Sequence, residues 1–147
     1  MAIGEICNRE VVFVQRDTTI REAAQLMRQY HVGALVVVDH GKSKPLGLVT
    51  DRDLVVEVLA TGLDAAVITV GDIMLSEAAT IAEHSGVFET IRYMRDKAVR
   101  RLPVVDGQGD LVGIVSLDDL LSLLAEELGQ LSSLVSREQQ RESHTRQ

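Results

Sequence analysis

Two short stretches of the chain, Thr50-x-x-Asp53 and Ser116-x-x-Asp119, place a carboxylate three residues after a hydroxyl. Each follows a Val-rich run and precedes a helical pattern, so each reads as a strand turning into a helix. There the hydroxyl can cap the helix while the carboxylate favours its dipole, an arrangement worth about 1 kcal/mol with no ligand present. The same geometry can serve a small molecule, because a carboxylate accepts hydroxyls and the open amides of a helix N-terminus meet a phosphate. A second cluster is cationic. Arg92, Arg95, Lys97, Arg100 and Arg101 fall within ten positions, opposed only by Asp96, in a chain of net charge −7. Most charge runs form a solvated helix face. Arg100 and Arg101 differ in directly preceding the apolar run Leu102 to Val105. Arg52, inside Thr-Asp-Arg-Asp, is either a cation for the first of the two sites or an ordinary exposed first-turn residue.

Other motifs fail on spacing. Gly107-x-Gly109-x-x-x-Gly113 has one residue too many for a dinucleotide fingerprint and precedes a strand. Gly113-Ile114-Val115-Ser116-Leu117 lacks the second glycine of a nucleophile elbow. His31, His40, His84 and His144 are scattered, and Cys7 is the single cysteine, so no metal-ligand set is visible and no internal disulfide can form. With no catalytic constellation, the chain reads as a non-enzyme. The lone cysteine points to a reducing, cytoplasmic setting. No charged segment precedes an apolar leader, and no apolar run approaches about 18 residues, so secretory and membrane-spanning readings fall away. The acidic balance disfavours nucleic-acid binding, and aromatics at 3% with no Trp leave no base-stacking platform.

The elements that must position these residues come in two copies. Offset by 67 positions, Val32 falls on Val99, Ile3 to Cys7 on Val70 to Met74, Glu22 on Glu89, Met27-Arg28 on Met94-Arg95, and Leu35 to Asp39 on Leu102 to Asp106. After a one-residue deletion, Gly47 to Leu54 falls on Gly113 to Leu120. Repeat 1 therefore occupies 1–60 and repeat 2 occupies 70–128, joined by a short linker at 61–69 and followed by an extension at 129–147. Each half is too short to bury enough surface alone, so the fold class is α+β, two repeated β-α-β-β-α motifs packed about a pseudo-twofold axis. In the first copy Val11 to Val14 reads as a strand, and Ile20, Ala23, Ala24 and Met27 as a helix face capped by Thr18 or Thr19. Ala34 to Asp39 and Leu46 to Thr50 read as strands separated by a turn at Gly41 to Pro45, with Leu54, Val55, Val58 and Leu59 as the buried stripe of a second helix. The second copy repeats this with strands at Ala79 to Ala82, Leu102 to Val105 and Leu111 to Val115, a helix from Val87 to Asp96, and a last helix from Ser116.

These residues are similar to a cystathionine-β-synthase-type (CBS) domain pair, the tandem called a Bateman module. The carriers are the opening Gly-Glu-Ile and Gly-Asp-Ile-Met, Asp17 to Ala23, Arg100 to Asp106, and Gly-x-x-Thr/Ser-x-x-Asp in both copies. The resemblance implies a regulatory module that takes an adenosine-containing ligand, such as AMP, ADP, ATP or S-adenosylmethionine, in clefts between the repeats. It implies Asp53 and Asp119 on ribose hydroxyls, Thr50 and Ser116 near phosphate, and one of Arg100 and Arg101 on phosphate. The first copy carries Gly33-Ala34 at the position of the arginine pair, so unequal clefts are expected, one favouring polyphosphate. The chain departs from the pattern at Arg16, where the family often has proline, and at Ala82 to Val87, where His84 reads as a surface loop residue.

Beyond the second copy, Leu117, Leu121, Leu124, Leu128, Leu131 and Val135 step by 4 and 3, a heptad seam that a partner helix would cover. Ser136 to Gln147 is polar and reads as a fraying tail. The expectation is a homodimeric sensor that signals to an effector protein not named by the sequence. The rival is an oligomerisation or interaction module that binds no ligand.

Overall fold

The computed structural model of the protein describes residues 1–41, 43–74 and 79–145. Lys42, within the turn expected at Gly41 to Pro45, residues 75–78 and the last two residues lie outside the described residues. In the first half, β1 (Phe13–Gln15), α1 (Ile20–Tyr30), β2 (Ala34–Val38), β3 (Pro45–Thr50) and α2 (Asp51–Leu54) follow one another. After the short α3 (Val70–Ile73), β4 (Ile81–Ala82), α4 (Val87–Lys97), β5 (Arg101–Val105), β6 (Leu111–Ser116) and α5 (Leu117–Thr145) repeat the order. Each half builds a three-stranded sheet, β1-β2-β3 and β4-β5-β6, whose first pair is parallel and second antiparallel. Both antiparallel pairs shift register at the same place, between Val37 and Val38 and between Val104 and Val105. The fold is α+β, built of two repeated motifs.

Local chemistry explains the helices. Thr19 caps α1, its hydroxyl accepting the Glu22 N–H at 3.2 Å, and Ile20, Ala23 and Met27 turn to the core. α1 and α4 both end on a left-handed residue that is not glycine, His31 (φ 54°) and Ala98 (φ 56°). The continuous apolar runs in β2 and β5 are buried on both faces: Leu35, Val36, Val37, Leu102, Pro103 and Val104 are all fully enclosed.

The two halves exchange their leading segments. Ile3, in a single 3₁₀ turn, is buried in the core of the second half with Leu102, Val104 and Val115. Val70, its repeat equivalent, is buried in the core of the first half with Ile20, Leu35 and Val49. Backbone hydrogen bonds follow the same reciprocity. Gly4 N–H donates to Glu83 O at 2.8 Å, and Gly71 N–H donates to Arg16 O at 2.8 Å. Each half does to the other what is done to it, which is the behaviour of a twofold pair.

Four local expectations change. β1 starts at Phe13 rather than Val11: the Val12 carbonyl still accepts the Val36 N–H at 3.2 Å, but farther upstream the chain has left this sheet and Asn8 pairs with Ile114 of β6 instead. β4 keeps only Ile81 and Ala82. In the second helix Val58 is buried, but Val55 and Leu59 are 52% and 75% exposed. Past Leu54 the helix widens to five-residue bonds, with Ala60 N–H on Val55 O at 2.8 Å and Leu63 N–H on Val58 O at 3.1 Å, and the wider winding turns those two side chains outward. The tail is helical through Thr145 instead of fraying from Ser136. Arg, Glu and Gln are polar but good helix formers, and the Ser136 and Thr145 hydroxyls bond carbonyls of their own preceding turns.

Candidate functional site

The site is built where β6 runs into α5. Ser116 N–H donates to Asp119 Oδ2 at 3.0 Å, and Asp119 N–H donates to Ser116 Oγ at 3.2 Å. Thr50 and Asp53 form the same reciprocal pair between β3 and α2, at 2.9 and 3.2 Å. Both hydroxyl–carboxylate pairs are therefore helix caps, and each spends one carboxylate oxygen on the cap.

Their surroundings differ. At α2 the first-turn amides are all engaged: Asp51 N–H on Gly33 O at 2.9 Å, Arg52 N–H on Asp51 Oδ1 at 2.8 Å, and Asp53 N–H on Thr50 Oγ1. No open amide is left there for an anion. At α5 the Leu117 N–H bonds Arg100 O at 2.8 Å, while among the described residues the Asp118 N–H has no partner. Asp119 Oδ1 likewise accepts no hydrogen bond among the described residues.

Ser116 and Asp119 open onto a cleft of about 210 Å³ between the halves. Arg101 joins them from its own repeat, paired with Ser116 across β5 and β6. The opposite wall comes from the other half: Asn8, Glu10, Val11, Val12, Val32, Gly33 and Ala34. Gly33 matters here, because a Cβ on it would stand 3.2 Å from Asp51 Oδ2 and 3.6 Å from an Arg101 guanidinium nitrogen. Its missing side chain leaves the space into which Arg101 reaches. The cleft continues through Asn8, Glu10, Val11, Val12 and Val32 into a depression of about 560 Å³ that adds Phe13, Leu26 and Tyr30.

The structure thus brings Arg101, Ser116 and Asp119 together and separates the others. Arg100, adjacent in sequence but on the other side of the strand, lines an apolar groove between α4 and α5. Arg52 is exposed on α2 and borders none of these cavities. Thr50 and Asp53 stand at the start of α2, half-buried, and line none of these cavities. Asn8, Glu10, Val11, Val12 and Val32 escaped sequence reasoning, since no local spacing links them to a motif in the other repeat. Cys7 is half-buried, its thiol pointed at Gly4 O at 3.7 Å, and burial pushes its pKa up, which suits a packing residue and not a nucleophile. His84 is exposed in its loop. Among the described residues no three His, Cys, Asp or Glu side chains cluster as metal ligands, and no helix is long and apolar enough to cross a membrane.

The family model of the CBS domain matches twice, at residues 3–60 and 70–126. A CBS domain-containing protein of Bacillus subtilis is 37% identical over 81% of this chain and 82% of its own length. Hypoxic response protein 1 of Mycobacterium tuberculosis is 35% identical over 83% of this chain and 84% of its own. An uncharacterized protein of Methanopyrus kandleri is 37% identical over 84% of this chain, which spans 62% of that relative's length. Among solved structures, Hypoxic Response Protein I with two coordinated zinc ions superposes with a TM-score of 0.74 at 32% identity, covering 83% of this chain and 98% of that one. The CBS domain pair of protein MJ0100, in complex with 5-methylthioadenosine and S-adenosyl-L-methionine, superposes with a TM-score of 0.74 at 25% identity, covering 84% and 99%. With both halves matched and the same paired architecture recurring in these structures, the chain belongs to the CBS-domain family as a tandem pair.

Proposed function

We propose that this CBS pair is a sensor that binds an adenosine-containing ligand in the cleft at Arg101, Ser116 and Asp119, and passes its occupancy to a partner protein as a homodimer. CBS pairs are regulatory modules, and the ligand acts here as a regulator and not as a catalytic cofactor. The observation that carries the reading is one cleft with three functions side by side. Asp119 keeps an oxygen for ribose hydroxyls, Arg101 offers a guanidinium for phosphate, and Val11, Val12 and Val32 offer an apolar wall for a base. The related MJ0100 pair supports the ligand class, having been solved with two adenosine derivatives.

The charges of the cleft narrow the class. Glu10 and Asp119 line it beside a single arginine, and the Asp51 carboxylate approaches Gly33 at its edge. A polyphosphate would meet more carboxylates than cations, so AMP, methylthioadenosine or S-adenosylmethionine fits better than ATP. Of the arginine pair it is Arg101 that serves the cleft in this reading, and the expected preference for polyphosphate gives way to a ligand of lower negative charge.

Thermal unfolding of the wild type, Asp119→Ala and Asp53→Ala with AMP, ADP, ATP, methylthioadenosine and S-adenosylmethionine tests this. A ligand at 100 times its dissociation constant stabilises by about 2.7 kcal/mol, a rise of roughly 5–10 °C. Asp119→Ala is expected to lose that rise together with about 1 kcal/mol of capping, whereas Asp53→Ala loses only the capping. No rise with any of the five ligands would leave the ligand-free interaction module, a reading favoured by caps that are already satisfied within the protein.

A further inference from the structure

The last helix carries an apolar face that none of the described residues of its own chain covers. Leu120 is buried, but Leu121, Leu128, Leu131 and Val135 are 56%, 67%, 61% and 55% exposed, and Leu124 is 37% exposed. At its start this face merges with an apolar groove of about 370 Å³ between α4 and α5, floored by Ile91, Met94 and Val99 and edged by Arg95 and Arg100. Among the described residues Arg95 pairs only with its neighbour Asp96, at 3.3 Å on the surface. Groove and seam form one continuous strip.

We infer that this strip is covered by α5 of a second copy of the chain, running antiparallel. The steps of 4 and 3 that carry Leu121, Leu124, Leu128, Leu131 and Val135 continue to Glu138 and Glu142. The strip is therefore apolar through Val135 and acidic beyond it. An antiparallel overlay sets Leu128 against the other copy's Leu131 and Leu124 against its Val135. It then carries Glu138 and Glu142 of each helix level with Leu121 and Leu117 of the other, between the guanidinium groups of Arg95 and Arg100. A parallel overlay would instead face Glu138 with Glu138 and Glu142 with Glu142 inside the seam, and would leave both groove arginines without a partner across the interface. Gly129 lies on the outer side of this register, with open space around its Cβ position, and does not interrupt the seam. The assignment is independent of any ligand.

Sedimentation of the full chain over a range of concentrations tests it. The wild type is expected to dimerise, and Leu128→Glu with Leu131→Glu to raise the dissociation constant by about a hundredfold or more, with helical content unchanged. Glu138→Arg with Glu142→Arg should weaken the dimer about tenfold, and adding Arg95→Glu with Arg100→Glu should restore it. A wild type that stays monomeric, or a dimer indifferent to the seam substitutions, overturns the interface. Failure of the second pair of reversals to rescue the first overturns the antiparallel placement.

Discussion

Ile3→Ala is expected to destabilise the protein by about 2–5 kcal/mol, although the residue lies three positions from the start of the chain. The side chain is fully enclosed among Leu102, Val104 and Val115 of the opposite half, so truncation leaves a cavity in a core formed by residues about a hundred positions away. The segment is also tied by backbone, with Ile3 N–H on Ser85 O and Gly4 N–H on Glu83 O, both at 2.8 Å, and these bonds loosen with it. The melting temperature should fall by roughly 5–20 °C. Met1→Ala, at a side chain 68% exposed, is the control and should change stability by no more than about 0.5 kcal/mol. Urea unfolding of both variants checks the pair. Were Ile3→Ala as mild as Met1→Ala, the exchanged N-terminal segment would not be what joins the halves.

Gly113→Ala should cost about 1–3 kcal/mol by overpacking at the same junction. A Cβ there would stand 2.6 Å from Cys7 Sγ and 2.9 Å from the Asn8 carbonyl oxygen. The thiol can rotate away, but the carbonyl cannot, because Asn8 and Ile114 exchange two backbone hydrogen bonds of 2.9 Å. The methyl must therefore push the N-terminal segment off β6. Replacing glycine with alanine ordinarily gains about 0.4–1 kcal/mol through the unfolded chain, and the clash outweighs that gain. Adding Cys7→Ala removes the nearer atom and should recover part of the loss, while the carbonyl contact keeps the remainder. Asn8 and Ile114 also line the cleft, so the variant should bind an adenosine ligand more weakly at a temperature where it is still folded. Calorimetric unfolding and ligand titration of the single and double variants read both effects. Wild-type stability in Gly113→Ala would show that the segment yields freely there.

Much of the architecture was legible because it is local. The spacing of Ile20, Ala23 and Met27 marks α1, Thr19 caps it, and the Val-rich runs mark the two buried strands. Self-similarity extended each reading to the second copy, and both sheets follow it down to the position of the register shift. Readings failed where a residue's fate depended on something beyond its neighbours. Val55 and Leu59 fit a helical stripe, but a widened turn points them outward. Val11 and Val12 look like strand residues, and their apolar character is used in the cleft wall instead. Ser136 to Thr145 looked too polar to stay ordered, yet helix propensity continues α5 through it.

Local pattern is enough for the duplication, the family, the helix-capping pairs Thr50–Asp53 and Ser116–Asp119, and the heptad face of the last helix. All of these are patterns over a few residues or comparisons of one stretch with another. Long-range packing sets the rest: the leading segments change places, Arg101 enters the cleft while Arg100 turns to the groove, and Glu10 and Val32 stand opposite Asp119. Those outcomes depend on side chains far apart in the chain competing for one enclosed volume, and a period or a spacing carries no information about which distant residue fills it.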